Sequence, residues 1–268
     1  MRIRVLARFT RIQAYILTLF SIIPLIFLIS PQNLFSTKTL VVFLANLFLT
    51  AFIYAFNDVE DAADDYNIPE KRRRNPVANR DLSKIQGYII SFLLLLIGLS
   101  LLVIIGALVV LFGLALVLVG FLYSWKPVRF KSMPFIDVVS HIICLGALQF
   151  LITYLTFRPI DLFVIPFLMI ILPFSLMVEV LYELRDFNVD KNTNIRNTIQ
   201  RLGRFNMKKL LTASGVTAII GFAIIFAIIF PTVPSEYGIV VLLGAIVLAI
   251  AIISKVNRFL THPQMRAR

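Results

Sequence analysis

Residues 85–123 form a 39-residue run without a single charged side chain. At 1.5 Å rise per residue, one helix of that length would measure about 58 Å. The hydrocarbon core of a bilayer is only roughly 30 Å thick. The run therefore reads as two spans, divided near Gly106. Its apolar residues do not alternate with polar ones, as the strands of a membrane barrel would require. Backbone N–H and C=O groups find no partner in lipid, so the spans are expected to be helices. The same reasoning along the chain gives eight spans, at residues 12–29, 39–56, 85–105, 107–123, 135–157, 162–182, 210–230 and 237–253. Hydrophobic residues make up 59% of the chain and charged residues 15%. A soluble domain has about 45–50% and a quarter, so a soluble fold is excluded. The expectation is an all-α, polytopic transmembrane helix bundle, one domain over residues 1–268.

The distribution of charge checks this division. Eight crossings place both termini and the segments at about 57–84, 124–134 and 183–209 on one side. Those regions hold 24 of the 26 Lys and Arg residues, leaving only Lys38 and Arg158 opposite. Basic residues collect on the cytoplasmic side of membrane proteins. Both termini and the three loops are therefore expected in the cytoplasm of a multi-pass cell-membrane protein. This bias explains the net charge of +12 without invoking nucleic acid. Arg2, Arg4, Arg8 and Arg11 precede the first span, and no small-residue cleavage site follows. That span reads as retained rather than as a signal peptide. The one cysteine, Cys144, lies in an apolar stretch, cannot form an internal disulfide and reads as packing.

The acids are clustered too. Seven of the 14 Asp and Glu residues lie between Asp58 and Asp81, and four more between Glu179 and Asp190. In the first cluster, Asp58, Asp61 and Asp65 are spaced i, i+3, i+7, which puts three carboxylates on one helix face. Asn57 can join that face, while Glu60 and Asp64 can be satisfied by solvent. Folding has no need of three like charges together. A divalent cation relieves the repulsion, and Mg²⁺ favours one or two carboxylates, waters and phosphate oxygens. In the second cluster, Glu179, Glu183, Asp186 and Asp190 also share a face, starting inside an apolar span. An ionisable residue there is costly and is a functional candidate by default. Two such faces brought together would make a pocket for Mg²⁺ and a diphosphate. Lys71, Arg72, Arg73 and Arg74, with Lys126, Arg129 and Lys131, supply cations for phosphate oxygens, although cytoplasmic loops are basic in any case.

These residues resemble the UbiA superfamily of intramembrane polyprenyl transferases. Its NDxxDxxxD pattern after the second span is matched by Asn57, Asp58, Asp61 and Asp65. Its second DxxxD, after the sixth span, is matched by Asp186 and Asp190 in YELRDFNVD. Its YSxPPxRxK segment after the fourth span is matched by Tyr123–Lys131, with Lys126 in place of one proline. The match covers about residues 57–204. Members usually have nine spans against eight here, and Asn75-Pro76-Val77 and Arg80 depart from the usual loop.

The resemblance implies a bundle around a central cavity. It implies Mg²⁺-dependent transfer of a prenyl group from a polyprenyl diphosphate to a lipophilic or aromatic acceptor, with release of pyrophosphate. The residues carried over are Asp58, Asp61, Asp65, Asp186 and Asp190 for the metal. Asn57, Arg129 and Lys131 are carried over for the diphosphate, to which Lys71 and Arg72 of the neighbouring basic run are added as candidates, and Asp61, Asp186 and Tyr123 for catalysis. The competing readings are a transporter or lipid-binding protein, or an inactive family member. Transporters place polar groups or broken helices at mid-membrane, whereas these acids sit at helix ends. His141 and His262 are the candidate bases, and 133–141 has a flavour of the carotenoid-extending branch.

Overall fold

The computed structural model describes residues 3–20, 22–192 and 197–229, and every regular element in them is helical. Two compact units divide the chain: Met1–Lys131 with Ile143–Ile160, and Ser132–Ile142 with Asp161–Arg268.

The first unit begins with α1 (Ile3–Phe9), α2 (Ile12–Phe20) and α3 (Ile22–Ile29). The expected first span at 12–29 coincides with α2 and α3, which flank residue 21, itself outside the described residues. Next comes α4 (Thr37–Asp65), a 29-residue helix opened by Ser36, whose hydroxyl accepts from the Thr39 N–H at 3.3 Å. The short α5 (Pro69–Arg74) leads to α6 (Lys84–Ile105), which starts on a reciprocal Ser83–Gln86 capping box. Then follows α7 (Ala107–Ser124). The division at Gly106 is the expected one, and its φ of 149° is a backbone region that only glycine adopts freely.

α4 is the centre of this unit. Its most apolar 18 residues are 56% buried, against 17% for α6 and 28% for α7. Leu49, Phe52 and Phe56 of α4 pack with Leu102 and Leu116 of its neighbours. Two glycines permit the close approach. A Cβ on Gly98 would stand 2.7 Å from Leu49 Cδ2, and one on Gly120 2.7 Å from Ile53 Cγ1.

A helix from Ile136 to Phe157 contributes to both units: α8 (Ile136–His141), a π-helical stretch (Ile142–Leu148) and α9 (Gln149–Phe157). In the first unit, Gln149 donates to Thr50 at 2.9 Å and Asn46 to Thr153 at 3.3 Å. This buried polar layer ties α9 to α4 where lipid gives no hydrophobic drive for helix association. The second unit is built from α8, α10 (Val164–Asn192) and α11 (Thr198–Ile229), the last interrupted at Gly203, φ 70°. Its core is Val138, Leu176, Val180, Ile199, Met207 and Leu211.

Among the described residues, five helices are long and apolar enough to cross a membrane: Thr37–Asp65, Lys84–Ile105, Ala107–Ser124, Ile136–Phe157 and Lys209–Ile228. Val164–Val180 is a shorter apolar helix at the position of the expected sixth span. The expected span at 237–253 lies outside the described residues. The chain is a multi-pass, all-helical membrane protein.

Candidate functional site

The first acid cluster occupies the last two turns of α4. The helix continues past the apolar stretch, as the spacing requires, and carries Asn57, Asp58, Asp61 and Asp65 in one uninterrupted register. Asn57 and Asp61 face the segment that follows α7. Lys131 Nζ donates to Asn57 Oδ1 at 2.8 Å and forms an ion pair with Asp61. Arg129 Nη2 lies 3.2 Å from Asp61 and 2.7 Å from Asp64. Ser124 Oγ donates to the same Asn57 oxygen at 3.0 Å. Burial pushes the Lys131 ammonium below its usual range, against the opposing pull of Asp61. Arg129 sits at φ 49°, left-handed backbone that is uncommon for a non-glycine residue and marks functional sites more often than others.

Asp58 looks elsewhere. It is fully buried and ion-paired with Arg11, another residue in the left-handed region. The Arg11 guanidinium also lies 6.0 Å over the Tyr54 ring. The second carboxylate oxygen of Asp58 is buried without a protein partner. Asp65 accepts from Asn75 Nδ2 at 2.9 Å, and the same amide donates to the Asp58 carbonyl at 2.8 Å. Asn75 Oδ1 in turn accepts from the N–H groups of Val77 and Ala78. One side chain therefore fixes both the end of α4 and the returning loop. Glu60 is buried rather than solvated: Tyr88 donates to one oxygen and the Lys126 N–H to the other at 3.0 Å. Tyr123 lies half-buried on the last turn of α7. Lys71 is half-buried on α5, and the Arg72 guanidinium lies 5.4 Å over the exposed Tyr66 ring.

The second cluster lies on α10. Glu179 is 3.3 Å from His141 Nε2, whose Nδ1 is 3.5 Å from Ser175 Oγ. Glu183 accepts from the Ile199 N–H at 3.1 Å. Burial, with Asp137 and Glu179 adding like charge, raises its carboxyl to about 9. Asp137 is tied to the start of α11, accepting from the Thr198 N–H at 2.8 Å and from its hydroxyl. The helical backbone carries Asp186 and Asp190 on the same face as Glu183. The side chains of these two aspartates, and His262, are outside the described residues.

Arg11, Asn75, Tyr88 and Asp137 were not distinguished by sequence as site residues. Arg11 reads as one more basic residue of a cytoplasmic flank. The available clue was that a carboxylate buried at Asp58 demands a cation from somewhere.

The UbiA prenyltransferase family pattern matches residues 15–267. The chain belongs to the UbiA prenyltransferase family. No curated protein matches it. Solved structures share its fold. A UbiA homolog from Archaeoglobus fulgidus bound to GPP and Mg²⁺ is 18% identical, with a TM-score of 0.71 over 93% of this chain and 87% of that one. Another structure of a UbiA homolog from Archaeoglobus fulgidus is 16% identical, with a TM-score of 0.65 over 86% and 78%. A digeranylgeranylglyceryl phosphate synthase structure is 18% identical, with a TM-score of 0.69 over 96% and 91%.

The donors of this UbiA-family chain suit Mg²⁺ by chemistry. Among the described residues, no three His, Cys, Asp or Glu side chains gather into a ready-made metal cage. A cage is unnecessary, because Mg²⁺ keeps waters and shares itself between a carboxylate or two and phosphate oxygens. Asn57 and Asp61 offer hard oxygens of this kind at a helix end bordered by Lys131 and Arg129.

Proposed function

We propose that this UbiA-family protein transfers a prenyl group from a polyprenyl diphosphate to a lipophilic or aromatic acceptor within the membrane, releasing pyrophosphate, with Mg²⁺ as its cofactor. The observation that carries this reading is the meeting of Asn57 and Asp61 with Lys131 and Arg129 at the end of α4. Carboxylate oxygens and guanidinium or ammonium donors lie within one side chain's reach of each other, the mixture that a metal-bound diphosphate requires. Support comes also from solved family structures bound to GPP and Mg²⁺ and to DMAPP and Mg²⁺.

In this reading Asp58, Asp61 and Asp65, with Asp186 and Asp190, hold the metal. Asn57, Lys71, Arg72, Arg129 and Lys131 hold the diphosphate. Mg²⁺ bound there supplies positive charge against the charge that develops on the leaving diphosphate. Arg129 and Lys131 exchange their carboxylate partners for phosphate oxygens and orient the allylic carbon toward the bundle interior. The allylic C–O bond breaks and its electron pair leaves with the diphosphate. Asp61, Asp186 and Tyr123 act at this step. The acceptor attacks the allylic carbon and gives up a proton, while the apolar helices exclude water that would trap the cation. The whole chain acts as one domain, with both termini and the acid-bearing loops cytoplasmic.

The test is direct. Purified protein is incubated with Mg²⁺ and geranylgeranyl diphosphate in lipid extracted from an isoprenoid-rich host. Pyrophosphate and prenylated lipid are then measured, and both are expected. Asp61→Ala and Asp186→Ala are each expected to abolish them while the protein still inserts. Full turnover in either variant would contradict the site assignment.

A further inference from the structure

The surface of α6 demands a lipid of a particular kind. Its apolar window is only 17% buried by protein, and Ile85 and Ile89 are 72% and 55% exposed. Acyl chains must therefore cover this helix. α6 begins at Lys84 on the Ser83 cap, so the headgroup of that lipid falls at the level of its first turn. At this level the first unit has an open groove of about 1,030 Å³ between α1 and α6. Its apolar wall is Val5, Leu82, Ile89 and Ile90. Its polar lining is Arg4, Arg8, Gln13, Asp81 and Gln86. Arg4 and Arg8 stand one turn apart on α1, so both face the groove.

Arg8 is partly committed. Its Nη2 pairs with Asp81 at 2.6 Å and its Nη1 donates to the Arg73 carbonyl at 3.1 Å. Arg4 is exposed on the groove's edge. With Asp81 counted, the side chains lining the groove carry a net positive charge. An apolar wall continuous with the lipid-facing side of α6, closed at the interface by two cations, one carboxylate and two amides, fits a two-part ligand. It matches an anionic phospholipid, with its phosphate at Arg4 and Arg8 and its acyl chain along Leu82, Ile89 and Ile90.

We infer that the α1–α6 groove is a binding site for an anionic phospholipid, distinct from the acid-bearing end of α4. Juxtamembrane cations favour anionic headgroups by about 1 kcal/mol each, or about fivefold per charge. The test is native mass spectrometry of the full chain, purified in detergent with equimolar phosphatidylglycerol and phosphatidylcholine. Wild type is expected to retain one phosphatidylglycerol in preference to phosphatidylcholine. Arg4→Gln should cut that preference about fivefold, and Arg4→Gln with Arg8→Gln should remove it. Lys38→Gln makes the same charge change at the far end of α4 and should leave the preference intact. If the double variant does not fold, exposed Arg4→Gln alone decides. Equal retention of the two lipids, an unaltered preference in Arg4→Gln, or an equal loss in Lys38→Gln would each overturn the assignment. Displacement of the lipid by millimolar inorganic phosphate would do so too, since it would reveal a free-anion site.

Discussion

The two acid-rich helix ends obey the same spacing rule and satisfy their charge in opposite ways. At the end of α4, carboxylates meet cations: Asp58 with Arg11, Asp61 with Lys131 and Arg129, Asp64 with Arg129. On α10, the described acids meet hydrogen-bond donors and a histidine. Glu179 has His141, and Glu183 has the Ile199 N–H beside Asp137. Burying a charge is costly unless it is paired or the group neutralises itself. Asp58, Asp61 and Asp64 are paired with cations, whereas burial raises the Glu183 carboxyl to about 9. The spacing of acids therefore shows which side chains share a face, but not whether that face is anionic.

The largest effect that would sharpen this contrast is on turnover. If both ends hold the metal-bound diphosphate, Asp61→Ala and Asp186→Ala should each lower the rate by about 10²-fold or more. A large loss in one with little in the other would break the symmetry. Next in size is the stability of the first end. Arg11→Leu leaves Asp58 buried without its cation and should cost about 3 kcal/mol in reversible unfolding in detergent. It lies toward the low end for a buried pair because Arg11 retains some solvent contact.

A smaller effect separates the two ends by pH. The Glu183 carboxyl is raised from an ordinary 4.5 to about 9. Between those values the folded protein holds a proton that the unfolded chain releases, so stability falls as pH rises through this window. Glu183→Gln mimics the protonated form. Its melting temperature should exceed that of wild type by a margin that grows from about pH 5 to about pH 9. A constant margin would show that Glu183 is ionised in the fold. The smallest effect is at the rim. Asp64 is 45% exposed despite its pairs with Arg129 and Lys126. Asp64→Asn should change stability by about 1 kcal/mol or less, measured in the same unfolding experiment.

Much of the helical framework was legible from apolar run length, because lipid leaves the backbone few options. The division at Gly106, the continuation of α4 into its acid face and the end of α9 at Phe157 all follow from the sequence. Within the site, local spacing put Asp58, Asp61 and Asp65 on one helix face with Asn57 beside them. It could not reveal their partners, since Lys131 is 70 residues from Asp61 and Arg11 is 47 from Asp58. Nor could it show that Glu60 is buried, because that depends on Tyr88 arriving from α6. Long-range pairs are set by packing, which the helical period does not encode.

The link at Gly106 bears on how the protein is made. With one residue joining α6 to α7, there is no stretch of polar chain to be exported between them. Insertion of one helix therefore draws the other across with it, and an arginine introduced near that link should hinder both.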